Sequence, residues 1–237
     1  MRINKFLSDS GICSRRQADA LIARQKVKVN GQIATLGQNI SETDDVVVEG
    51  QKVAPKATQK VYYALYKPKN YITTCSDEND RRTVLQLVPK QPRVYPVGRL
   101  DRNSEGLLIL TNDGELTNEL THPSFDHGKR YKVKATPFFT GNLALLAEKV
   151  KKSFLEGILI ENILMKADFV EIELMEGNIL NIDLTIHTGY NRQIRKMCDK
   201  MKLEILRLVR TKVGKVDLKK LGINSGQYVT LRKEDIL

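Results

Sequence analysis

Apolar residues in this chain come in short blocks whose period changes along the sequence. In the first fifty positions Ile3, Phe6 and Leu7 fall on one helical face before Gly11, which predicts a short helix. Ser14 with Gln17 three residues later forms a capping box. Ala18, Leu21 and Ile22 then supply the apolar stripe of a second helix. The alternation of "KVKVNGQIATL" around Asn30-Gly31 predicts a hairpin, and "DDVVVEGQKV" another strand turned at Glu49-Gly50. "APKATQK" at 54–60 is aperiodic and carries Pro55, so it is the expected linker between a unit at 1–53 and a larger one at 61–237.

The larger unit mixes both periods. "VYYALYKPKNYITT" predicts a strand entering a turn at Pro68. Residues 94–120 read as a strand, a loop carrying Asp101, a buried strand over 106–111, an Asn-Asp-Gly turn at 112–114 and a short helix. "KRYKVKA" alternates like a half-buried strand, whereas Leu143, Leu146, Ala147 and Val150 have helical spacing. Two strands flank Gly177-Asn178, and Ile194, Met197, Cys198 and Met201 mark a helix over "NRQIRKMCDKM". Hairpins with interspersed helices, and no repeat at a fixed period, predict a small α/β unit followed by a mixed, mainly antiparallel α+β domain.

Composition narrows the function. Hydrophobic residues make up 41% of the 237 positions, enough for real cores. The longest apolar runs, such as "LLIL" at 107–110, are too short to cross a bilayer, and "MRINKFLSDSG" lacks the apolar stretch of a secretory signal. The expectation is a soluble, cytoplasmic protein. Cys13, Cys75 and Cys198 form no CxxC pair and are expected to be small buried hydrophobes. His122, His127 and His187 stand at no ligand spacing, so no metal is expected. The net charge of +11 is concentrated: residues 190–237 hold 13 Lys and Arg against five Asp and Glu. A basic excess of this kind is the footprint of a phosphate backbone. A membrane surface is the poorer partner, because no basic amphipathic helix with Trp or Phe anchors is present. Neither a GxxxxGK[ST] loop nor a GxGxxG after a strand occurs, so no cofactor is expected.

The stretch "GRLDRNSEGLLILTNDG" then poses a choice for Asp101. As a turn residue in a surface ion pair it would contribute about 0–1 kcal/mol. As a nucleophile it must be charged, a form that a nearby guanidinium favours. Arg99 and Arg102 point to different sides of an extended segment, so at most one pairs easily. Arg192 and Arg195, three apart on one helix face, offer one cation for the carboxylate and another for phosphate.

The same stretch is similar to the signature of the RsuA/RluB/RluE/RluF family of pseudouridine synthases, and "GYNRQIRKMCDKMKLEILRLVRTKVGKVDL" resembles that family's C-terminal signature. "RINKFLSDSGICSRRQADALIARQKVKVNGQIATLGQNI" resembles an S4 RNA-binding domain. With "KPKNYITT" the likeness spans nearly the whole chain, and "SGICSRRQAD", "ATLGQ" and "NRQIRKMC" bring it nearest to the RluF type. The resemblance implies cofactor-independent isomerisation of uridine to pseudouridine in RNA, in large-subunit (23S) ribosomal RNA with transfer RNA as a second substrate. It places Asp101 on the catalytic aspartate, acting at C1′, at C6 or in proton removal at C2′. Tyr131 falls on the tyrosine that stacks on the target base, and Arg195 on the arginine that pairs with the aspartate. The uridine would be flipped out of its stack. Arg15 and Arg16 on the S4-like unit, with Arg99, Arg192, Lys196 and Arg210, are the expected RNA-binding cations, although Arg15 and Arg16 equally fit a solvated helix face. Three positions depart from the family pattern: Asn70 and Lys202 stand where glycine is usual, and Lys196 where arginine is frequent. Two other readings compete, a non-catalytic RNA-binding factor and an N-glycosidase using Asp101 and Glu105 as an acid–base pair. A monomer is expected.

Overall fold

The computed structural model describes residues 1–53, 59–122, 125, 127–138 and 141–237. The expected linker at 54–60 lies mostly outside these residues. The chain divides into two compact units, one of residues 1–60 with 91–93 and the other of 61–90 with 94–237.

In the first unit, helices α1 (Ile3–Asp9) and α2 (Arg15–Ala23) precede strands β1 (Val27–Val29), β2 (Gln32–Ile33), β3 (Val46–Val48) and β4 (Gln51–Val53). The strands form an antiparallel sheet in the order β2-β1-β3-β4. The capping box at the start of α2 is made on both sides, Ser14 to the Gln17 backbone and Gln17 back to Ser14. Asn30 and Gly31 take φ of 50° and 82°, the left-handed pair that a tight hairpin requires. Ile3, Leu7, Ala18, Ile22 and Val27 fill the core.

In the second unit, β5 (Tyr62–Lys67), β6 (Tyr95–Val97) and β7 (Glu105–Thr111) lead to α3 (Gly114–Thr121) and β8 (Lys129–Pro137). Then come α4 (Leu143–Glu156), the hairpin β9 (Ile158–Ile160) and β10 (Ile163–Met165), and strands β11 (Phe169–Met175) and β12 (Ile179–Ile186). The chain continues through α5 (Gln193–Lys200), β13 (Leu203–Val213), β14 (Val216–Asp217), α6 (Leu218–Leu221) and β15 (Tyr228–Thr230). The main sheet runs β11-β12-β8-β13-β7-β5-β15, with β14 on β13 and β6 on β7. Its one parallel pairing among the described residues joins β13 to β7, through Val209 with Glu105 and Arg210 with Gly106. Both faces of β7 are buried. Leu108 and Leu110 belong to the core that also takes in side chains of α4 and α5, while Leu107 and Ile109 belong to a second core that includes side chains of α3 and α6. That explains why "LLIL" runs without alternation.

Several expectations are refined. The Asn-Asp-Gly segment is a helix start, in which the Asp113 side chain accepts from the Glu115 and Leu116 N–H groups. Cys13 and Cys198 are buried, but Cys75 is exposed. Burial pushes the Cys198 thiol up to about 12. Asn70 and Lys202 adopt φ of 67° and 57°, so both departures from glycine fall where the backbone is left-handed. No helix of the described residues is long and apolar enough to cross a membrane.

Candidate active site

Asp101 lies on the turn between β6 and β7, closed by the Ser104 N–H donating to the Asp101 carbonyl at 3.1 Å. This turn is tied down from several directions. The Thr73 hydroxyl donates to the Leu100 carbonyl at 2.8 Å, and the Asn70 N–H donates to the Arg102 carbonyl at 2.8 Å. From beneath, Lys67 at the end of β5 donates its ammonium to the carbonyls of Ser104 at 2.7 Å and Pro68 at 2.9 Å. Lys67 has no exposed surface. Burial lowers its pKa to about 8, Asp101 and Glu105 oppose that shift, and Arg210 adds to it. Nothing in the alternation of "YYALYK" marks this lysine as internal. The signal available was its position at the end of a strand buried on both faces.

The cations that meet Asp101 come from the far end of the sequence. Arg195 on α5 donates from Nε to Asp101 Oδ2 at 3.2 Å, and its other nitrogen reaches the Ser104 hydroxyl at 2.9 Å and the Asn103 carbonyl at 3.1 Å. Arg192 approaches the same carboxylate oxygen at 3.7 Å and is more exposed, 54% against 17%. Arg99 and Arg102 are exposed beside the turn, and no ion pair of the described residues joins either to Asp101.

The first turn of α5 is fixed by an interior amide that the sequence did not single out. Gln193 is buried, accepts from the Thr188 hydroxyl at 2.8 Å and donates to the Lys166 carbonyl at 3.1 Å. Arg192, just before it, sits in the left-handed region at φ 53°, an uncommon conformation for a long side chain.

These groups face a cleft of about 750 Å³, and Tyr131 lines it as well. Tyr131 lies on β8, opposite Leu184 of β12 and Arg210 of β13, and is almost fully buried. Asp101, Tyr131 and Arg195 therefore share one cavity, together with Arg99, Arg192 and Arg210. Among the described residues that line it, Asp101 is the only carboxylate, against six Lys or Arg and all three histidines of the chain. His122 and His127 lie on the connection from α3 to β8 and His187 just after β12, a meeting that sequence spacing could not reveal. No group of three or more candidate ligands forms among the described residues.

Other expected contacts sit differently. Arg210 is 4% exposed and donates to the Leu107 carbonyl at 2.8 Å, so it holds β13 against β7 with little surface left for phosphate. Lys196 pairs with Glu161 at 2.6 Å and does not line the cleft. Glu105 faces Arg207, at 3.0 Å, rather than the cavity, so it forms no acid–base pair with Asp101 across a substrate. Arg15 and Arg16 are exposed at the first two positions of α2.

A family model described as RNA pseudouridylate synthase matches residues 61–200, and an S4 domain model matches residues 1–46. The chain is 35% identical to the ribosomal large subunit pseudouridine synthase B of Bacillus subtilis (strain 168), over 99% of this chain and 93% of that one. It is 33% identical to the dual-specificity RNA pseudouridine synthase RluF of Escherichia coli (strain K12), over 100% of this chain and 77% of that one. A crystal structure of a pseudouridylate synthase superposes with a TM-score of 0.66 at 26% identity, covering 100% of this chain and 98% of the other. With a family model over residues 61–200, an S4 domain model over 1–46 and these relatives aligned along the chain, the protein belongs to the RNA pseudouridine synthase family.

Proposed function

We propose that the protein isomerises a specific uridine of large-subunit (23S) ribosomal RNA, with Asp101 as the nucleophile on a nucleotide flipped into the cleft. The observation that carries this reading is the isolation of Asp101. Among the described residues it is the one carboxylate that lines a cationic cleft, and Arg195 braces it from one side while the turn around it is pinned by Lys67, Asn70 and Thr73. In the reaction the N1–C1′ bond breaks and a C1′–C5 bond forms. The proton leaves C5, N1 gains one, and no electron is transferred. Carboxylate attack followed by release of the same oxygen satisfies that balance without a cofactor.

Flipping costs a few kcal/mol of lost stacking. The ring of Tyr131 returns roughly 1–3 kcal/mol by stacking on the extruded base. Arg195 stays with Asp101, while the more exposed Arg192, with Arg99, holds the neighbouring phosphates. The S4 unit, with Arg15 and Arg16, adds a second RNA contact that raises the effective concentration of the cleft at its target. A ribosomal target is favoured by the large-subunit substrate in the name of the Bacillus relative, and transfer RNA is the second substrate to assay beside it. The working form is a cytoplasmic monomer.

The test is pseudouridine mapping by carbodiimide modification of ribosomal and transfer RNA from cells lacking the gene, with and without added protein. Wild type is expected to restore one pseudouridine position and Asp101→Asn none. If the two leave the same pattern, the assignment of Asp101 is lost.

A further inference from the structure

Two aromatic rings line the cleft besides its histidines, and the proposed reaction uses only one. Tyr131 is recessed on β8 at 8% exposure, whereas Tyr190 stands at 42% exposure on the loop between β12 and α5. An exposed tyrosine is ordinary. Tyr190 differs in how it is held. The Gln193 N–H donates to the Tyr190 carbonyl at 3.1 Å, and the Gln193 side chain is itself locked between Thr188 and Lys166. Arg192 completes the turn in its left-handed conformation, with its guanidinium 3.7 Å from Asp101. The loop therefore carries a large flat ring on a hydrogen-bonded backbone, in the same cleft as Arg192. A ring on a backbone held in this way loses less entropy on binding than one on a loose loop.

The surroundings select the occupant. Among its described lining residues one carboxylate stands against six Lys or Arg, so the cleft attracts a polyanion, and a polyanion that offers flat faces at regular intervals is a nucleic acid strand. The Arg192 guanidinium, lining the same cleft, suits the phosphate that follows each base. We propose that Tyr190 is the stacking platform for the nucleobase next to the target uridine, so that the cleft grips two consecutive nucleotides, one on Tyr131 and one on Tyr190. This rests on the reading of Tyr131 as the platform for the target.

The experiment uses the full chain and a stem-loop RNA that contains the uridine the wild type modifies in ribosomal RNA. The RNA is prepared intact and with an abasic site at each neighbour of that uridine in turn. Affinity is read by fluorescence anisotropy and turnover by tritium release from [5-³H]uridine. Tyr190→Ala should raise Kd and KM about 5- to 150-fold with kcat unchanged, and Tyr190→Phe should behave as wild type. The difference between wild type and Tyr190→Ala should vanish when one particular neighbour is abasic. The proposal is overturned if Tyr190→Ala binds as tightly as wild type, or if its deficit persists on both abasic RNAs, which would assign the loss to loop geometry. If Asp101→Asn releases tritium from this RNA as wild type does, the catalytic assignment is refuted, while the anisotropy data still decide Tyr190.

Discussion

Arg195 makes three contacts around the Asp101 turn, and replacing it separates charge from geometry. Between Nε and Oδ2, at 3.2 Å, the Coulomb attraction amounts to about 1.3 kcal/mol at the dielectric constant of water and about 5 kcal/mol at an effective value of 20. The Asp101 side chain is 35% exposed, so a figure in the lower half of that range, about 2 kcal/mol, is appropriate. The bonds to Asn103 and Ser104 add about 1 kcal/mol each. Arg195→Met loses all of this, about 4 kcal/mol, or roughly a thousandfold in kcat if the contacts act fully in the transition state. Arg195→Lys keeps a charge but has no planar fork. It should lose only the two turn contacts, about 2 kcal/mol, or roughly thirtyfold. Single-turnover tritium release from [5-³H]uridine RNA measures both, with thermal unfolding as the control for global damage. The reasoning is refuted if the two variants are equally impaired, or if either stays within about threefold of wild type, well below these estimates.

Other expectations follow from the same contacts. The folded chain binds the Lys67 proton less tightly than the unfolded chain, about 8 against 10.5, so this group makes stability rise with pH through that window, by at most about 1.4 kcal/mol per unit. Urea unfolding of wild type and Lys67→Met should show their stability difference widening from pH 8 to 10, and parallel curves would contradict the burial argument. Tyr62, raised to about 12 by burial and by its bond to Asp113, acts oppositely above pH 10 and is common to both proteins. Gly106→Ala would set a Cβ onto the Arg210 backbone at φ 110°, and should cost several kcal/mol of stability, read as a large fall in Tm. Arg192→Ala should weaken RNA binding and reduce the slope of log Kd against log salt by about 0.7. Lys196→Ala, which breaks only the pair with Glu161, should leave that slope unchanged.

Much of the first unit was legible because its signals are local. A capping box and an Asn-Gly turn act within three or four residues, and both are present as read. The strands around Gly177-Asn178 and the helix after Asn191 were equally local. Residues 203–237 were opaque for the opposite reason. β13 changes neighbours along its length, pairing with β8, β7 and β14, so its burial follows no single period. At the site, the spacing of Arg192 and Arg195 offered a cation for Asp101 and the family resemblance singled out Arg195, while the geometry came from folding. Lys67, Gln193 and the three cleft histidines escaped notice because each owes its position to partners distant in sequence. Arg210 and Lys196 looked like phosphate ligands only because charge counting cannot see a backbone carbonyl or a glutamate already occupying a cation.

The partners of Asp101 stand 94 positions later for Arg195, and Arg210 reaches back 103 positions to Leu107. During synthesis Asp101 emerges long before the groups that brace it, and the intervening loop must be closed before either contact is made. The finished centre is thus a product of long-range assembly, a topology that folds slowly. Turnover can begin only once the sheet has closed across β7 and β13, which makes catalytic competence a sensitive readout of late folding.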